Sequence, residues 1–236
     1  MRLSFVSLSG VTLVTLAILP AVGGEAYAAD RSPWYMGIGA GSTAWSANSR
    51  QLSTILSSRT DGKIGRLDSA GSGAGFHGGV RLNQFLALEA RYADLGAVGF
   101  LVPNISSCTG EDACPAVVND AAAGTLAADG WSLSAVGTFP LTERFELGGR
   151  LGLFRSIVKL MWWNASLAHY PSGEPAYHFE TTVHRTRPLI GIDLGYRITP
   201  NATFRLSWER INKLGNAGTT GEMNVRSLSA GIKVDF

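Results

Sequence analysis

Residues 131–154 read WSLSAVGTFPLTERFELGGRLGLF. With a period of two, Trp131, Leu133, Ala135, Gly137 and Phe139 fall on one face, and Ser132, Ser134, Val136 and Thr138 on the other. Beyond a break at 140–144, Phe145, Leu147, Gly149, Leu151 and Leu153 share a face opposite Glu146, Gly148, Arg150 and Gly152. Side chains alternate across a strand, so this is an antiparallel hairpin with one apolar face and one face of serine, glycine and charge. What the apolar face meets, a second sheet or lipid, decides the fold.

The same unit recurs outward in both directions. Trp34–Thr43, Gly75–Leu82 and Phe85–Tyr92 precede it, and Pro188–Ile198, a strand through Phe204, Leu206 and Trp208, and a last one ending at Phe236 follow it. Three tight breaks (83–84, 140–144 and 199–201) alternate with four long connections, at about 46–72, 97–129, 163–185 and 212–223, with the strand from Phe145 extending as far as Trp162. Eight strands with short turns at one end and long loops at the other predict an all-β, eight-stranded antiparallel transmembrane barrel. The aromatics sort with it. Trp34, Phe85, Phe139, Phe145, Phe204 and Phe236 fall at the short-turn ends, and Tyr92, Trp131 and Trp208 nearer the other rim, as two interfacial girdles require.

The first residues set the compartment. Arg2, an apolar centre at Val11–Leu19 and the small residues of Ala26-Tyr27-Ala28 are the order of a secretory signal peptide over 1–28, leaving a barrel domain at 29–236. A retained membrane helix is the alternative, and the serines, Gly10 and Pro20 make it a poor span. A net charge of +2 over 236 residues argues against a nucleic-acid partner. Glycine, at 29 residues, with only 16% charged residues, suits close backbone approach in a small barrel.

Energetics choose the facing. Turning the polar sets outward would put Arg81, Arg91, Arg150, Arg197 and Arg205 against lipid, at roughly 2–4 kcal/mol each near the midplane. They are therefore expected inside with Lys233, where they meet Glu89, Glu146, Asp193, Glu209 and Asp235. The network is nearly balanced, and so narrow a barrel is filled by its own side chains. A turn at Leu82–Gln84 would set Arg81 opposite Phe85 and His77 opposite Glu89, a carboxylate that would keep the imidazole charged to higher pH. Pairing Phe139 with Phe145 would set Ser134 opposite Arg150.

Three stretches, FLALEARYADLG (85–96), GWSLSAVGTFPLTERFELGGRLGLFRS (130–156) and GIDLGYRITPNATFRLSWER (191–210), resemble the transmembrane barrel of OmpA-type and OmpX-like outer-membrane proteins. The ending SLSAGIKVDF resembles the final-strand signal of such barrels, and the resemblance implies that Ala230, Ile232, Val234 and Phe236 are read by the outer-membrane assembly machinery. It also implies an integral outer-membrane location in a Gram-negative cell. The sequence ends at the last strand, so the resemblance covers the barrel alone, and no peptidoglycan-binding domain is expected.

Cys108 and Cys114 share one loop of an exported chain, which favours a disulfide closing a small ring, worth roughly 2 kcal/mol. His178, Glu180 and His184 have equal parity in the third loop, with His169 nearby, but their spacing matches no standard metal site and none is expected. Ser166, His169 and Glu174 could be drawn into a lipid-acyl hydrolase site, though nothing around them is a nucleophile motif. Asn104, Asn164 and Asn201 open N-x-S/T triplets, which are chance in a bacterial barrel.

The expected function is structural or surface-interaction work through the loops of a monomer. Its surroundings would be outer-membrane lipid and lipopolysaccharide, with a surface ligand for the loops, no cofactor and no enzymatic activity. A narrow porin-like channel gated by exchange among the inward charges is the leading alternative, and a lipid-modifying enzyme the third.

Overall fold

The computed structural model describes residues 33–47, 49–57, 66–105, 120–164 and 178–236. The expected signal peptide, Cys108, Cys114, Ser166, His169 and Glu174 lie outside them. Strands run β1 (Trp34–Ala47), β2 (Arg66–Leu67), β3 (Ala70–Arg81), β4 (Leu86–Ile105), β5 (Asp120–Pro140), β6 (Phe145–Asn164), β7 (His178–Arg197), β8 (Ala202–Asn216) and β9 (Gly221–Asp235), with one helix, α1 (Ser49–Ser57). Every pairing is antiparallel. β2 continues the line of β3 along β4, so eight strands form the wall, and the β4–β5 pairing closes it. The seam between β1 and β9 joins the two ends of the barrel, where Phe236 N donates to Trp34 O at 3.3 Å. No helix among the described residues is long and apolar enough to cross a membrane.

The three short turns share one device. Asn83 Oδ1 accepts from the backbone N–H of Phe85 (2.8 Å) and Leu86 (2.9 Å). Thr142 Oγ1 accepts from Phe145 N at 3.0 Å, and Thr199 Oγ1 from Ala202 N at 3.0 Å. At the first two turns these side-chain bonds hold a turn wider than the expected one and move the register by two residues. Arg81 therefore faces Ala87, and His77 faces Arg91 rather than Glu89. Likewise Arg150 faces Val136, and Ser134 faces Gly152. A shift of two preserves parity, so no side chain changes face.

The strands are longer at the loop end than the alternation suggested. β4 and β5 run into the expected loop at 97–129, and β6 and β7 into that at 163–185. The connection expected at 46–72 holds α1 and β2, and that at 212–223 is a tight turn between Asn216 and Gly221. β4, β6 and β7 have 20 residues and β5 has 21. Crossing a bilayer takes about 9–11 residues of tilted strand. Roughly half of each therefore stands beyond the lipid-facing band.

The facing pattern inverts at that level. In β6 the outward Leu147, Leu151 and Leu153 give way to Arg155, Ile157 and Lys159, while the inward Glu146 and Arg150 give way to Phe154, Val158, Leu160 and Trp162. Apolar side chains face out where lipid is the solvent and in where water is.

Candidate functional site

The barrel interior has two storeys. The lower, nearer the short turns, is ionic. Arg205 Nη1 donates to Glu89 Oε2 at 2.9 Å, and Arg205 Nη2 to Asp193 Oδ2 at 2.7 Å. Arg150 lies 2.7 Å from Glu89 Oε1 and 2.9 Å from Glu209 Oε1. Arg91 pairs with Glu209, and Tyr35 Oη donates to Glu89 at 3.1 Å. Glu89, Arg150, Asp193, Arg205 and Glu209 are all buried, so removal from water is offset only by these mutual contacts.

Nearer the turns, Lys233 Nζ meets Glu146 Oε1 at 2.6 Å and Arg81 Nη2 meets Asp235 Oδ1 at 2.6 Å. The two cations flank the Tyr35 ring, 5.7 and 5.3 Å from its centroid. Two glycines make the room. A Cβ on Gly79 would lie 2.3 Å from Tyr35 Cζ, and one on Gly37 would lie 2.5 Å from the His77 ring.

Two expected members behave differently. Arg197 leaves the network and donates to Glu143 O at 2.9 Å at the turn rim. Without it five cations face five carboxylates, and the interior is neutral with His77 uncharged. His77 Nε2 lies 3.2 Å from Arg205 Nη1. A guanidinium has no acceptor, so the imidazole nitrogen must accept, and the residue directly across from His77 is Arg91 instead of Glu89. A void of about 20 Å³ beside His77, Arg91, Arg150 and Arg205 is of the order of one water.

The upper storey is an apolar core that the alternation did not reveal. Leu126, Val158, Leu160 and Leu214 are fully buried, with Phe100, Phe154, Trp162, Met223 and Trp45 around them. α1 caps it. Leu52 is buried in the core, and Gln51 Oε1 accepts from Glu222 N at 3.1 Å. In β5 the signal was present in the reversed alternation of Leu126 and Ala128, whereas in β4 Val98, Phe100 and Val102 keep the parity of Leu86 and Leu88 and are turned inward by a bulge between Asp94 and Ala97. Alanine and glycine between them weaken its contrast.

Elsewhere, Ala230, Ile232 and Val234 line the outer face of β9 opposite Ala40, Ile38 and Met36 of β1, and Phe236 is exposed. Glu180 and His184 are exposed on β7, and the side chain of His178 is outside the described residues. No three His, Cys, Asp or Glu side chains among the described residues gather as metal ligands.

The chain is 27% identical over 165 residues to outer membrane protein A of Shigella flexneri, covering 70% of this chain and 40% of that protein. It is 26% identical over 165 residues to outer membrane protein A of Salmonella typhi, with the same coverage. It thus spans about 40% of the length of these curated relatives. Neisserial surface protein A aligns over 87% of this chain and 98% of its own, at 18% identity and a TM-score of 0.46. The model of the OmpA-like transmembrane domain matches residues 29–236, and the chain, an outer-membrane β-barrel by sequence and architecture, belongs to that family.

Proposed function

We propose that this barrel is a non-conducting, non-catalytic outer-membrane anchor, whose structural or surface-interaction role is carried by the wall that β4–β7 raise above the extracellular leaflet. One observation carries the reading: the apolar upper storey, capped by Leu52 of α1, lies across the path out of the ionic lower storey. Water crosses a packed apolar constriction poorly, and an exchange of ion pairs below it would open onto a closed end. The raised wall presents Arg155, Lys159 and His184 on its outer face. Exposed cationic side chains on a hydrogen-bonded strand scaffold suit contact with neighbouring cell-surface molecules.

Planar-bilayer recording of the purified barrel tests it. Silence from the natural chain, with unitary steps appearing in a Val158→Gly/Leu160→Gly variant, supports the reading. Steps from the natural chain that change with Arg150→Gln would replace it with the pore. Altered lipid A mass in cells expressing the chain would replace it with an enzyme. The surface role predicts that the triple variant Arg155→Ser/Lys159→Ser/His184→Ser folds normally but fails to restore detergent resistance or adherence to cells lacking the protein.

A further inference from the structure

Each strand changes from apolar to polar outward residues at one level, and the first charged residues there are not scattered. On β8 the outward set Phe204, Leu206 and Trp208 is followed by Arg210. On β9 the set Ile232, Ala230 and Leu228 is followed by Arg226. Trp208 is directly opposite Leu228, and Arg210 directly opposite Arg226. Like charges facing each other across a strand pair are unfavourable unless something shields them.

Nothing described in the chain does so. Neither guanidinium lies within ion-pair distance of a carboxylate among the described residues. Glu222, the acidic residue closest along β9, is 3.7 Å from Arg187. Arg210 Nε donates to Asn212 Oδ1 at 2.9 Å, which orients the guanidinium and leaves its Nη groups for another acceptor.

A third cation sits at the same edge. A bulge between Ile211 and Leu214 puts Lys213 at φ 56°, the one non-glycine positive φ among the described residues. Asn224 Oδ1 accepts from Lys213 N at 3.0 Å, and Lys213 O accepts from Arg187 Nε at 2.8 Å. The strained backbone is thus held by side chains on both sides, with Lys213 exposed.

The matching step on the other side of the barrel offers the contrast. There Asp94 faces Asp129 across β4–β5, four strands away round the wall in either direction. That pair is supplied from within the chain: Asp94 Oδ1 accepts from Gly96 N at 2.8 Å and Asp129 Oδ2 from Tyr92 Oη at 3.1 Å. Of the basic pair, Arg210 is held only through Nε by Asn212, and the Arg226 guanidinium has no hydrogen-bond or ion-pair partner among the described residues.

From this we infer that Arg210 and Arg226, with Lys213, form a binding site for the phosphate of an outer-leaflet lipid headgroup. Their level is where headgroup phosphates lie, one outward step beyond Trp208 and Leu228. Guanidinium forks match phosphate oxygens in charge and geometry. The lipid's acyl chains would run down the apolar face of β8 and β9.

The test reconstitutes the full barrel in phosphatidylcholine nanodiscs doped with bisphosphorylated lipid A or with the same lipid after enzymatic dephosphorylation. Bound lipid per barrel is then counted by native mass spectrometry. The phosphorylated lipid should bind with at least about tenfold higher affinity, and Arg210→Gln/Arg226→Gln should remove that preference. Heat-modifiable gel mobility would show that the variant is folded, and Asp94→Asn/Asp129→Asn should leave the preference intact. Equal binding of the two lipids, or an unaffected double variant, would overturn the site. Saturation by inorganic phosphate alone would assign it to a free anion instead. Loss of cross-linked barrel pairs in the double variant, with lipid binding unchanged, would assign the basic edge to a second copy of the chain.

Discussion

Glu89 is the residue on which the lower storey converges, because Arg205 and Tyr35 both donate to its Oε2 while Arg150 forms an ion pair with its Oε1. Glu89→Ala leaves two buried guanidiniums short of a partner, and should cost about 3–5 kcal/mol in urea unfolding of the micelle-bound barrel. Adding Arg205→Met should recover part of that loss, since it removes one of the stranded charges. Gly79→Val should cost about 1–3 kcal/mol by driving the Tyr35 ring off Glu89. That change is read as a lower temperature for loss of the folded band on gels. These charges were legible from parity and from the cost of arginine in lipid. Their partners were not, because most of the ion pairs cross the lumen between strands that are not neighbours, the contacts of Asp193 with Arg205 and Arg150 being the exceptions. Arg197 shows the limit: its parity is inward, but at a turn the nearest acceptor is a backbone carbonyl.

At the scale of one strand, β6 passes through two solvents, and substitutions on its outer face should divide accordingly. Leu151→Arg should destabilise the bilayer-inserted barrel by about 2–4 kcal/mol. Lys159→Leu, on the same face but above the lipid, should stay within about 0.5 kcal/mol. Facing inward, Leu160→Ala should cost about 2–5 kcal/mol, as a core truncation does in a water-soluble domain. Equal costs at Leu151 and Lys159 in bilayer unfolding would contradict the placement of the boundary. Strand existence and facing were read directly from the period-two pattern. The register was not, because Asn83, Thr142 and Thr199 set turn width through hydrogen bonds that leave no trace in hydropathy. The extension of β6 to Trp162 was legible, but the upper halves of β5 and β7 were missed because a change of solvent reverses what apolar alternation means, and that of β4 because a bulge between Asp94 and Ala97 interrupts the pattern.

For the molecule as a whole, the two storeys join a membrane barrel held by ion pairs to an aqueous barrel held by hydrophobic burial, along continuous strands. Salt should therefore affect them unequally, and the buried lower storey should be screened least. Every wall seam except one lies between strands adjacent in sequence, counting β2 and β3 as one. The exception, between β1 and β9, brings Trp34 and Phe236 within a hydrogen bond. A ring whose ends already touch has no preferred starting point in its folded form. A short linker could join those ends and a cut at the Asn216–Gly221 turn could open new ones, giving a circular permutant with the same wall. Such a chain would carry SLSAGIKVDF in its interior, and would separate the part of that segment that closes the cylinder from the part that addresses the cell's insertion apparatus.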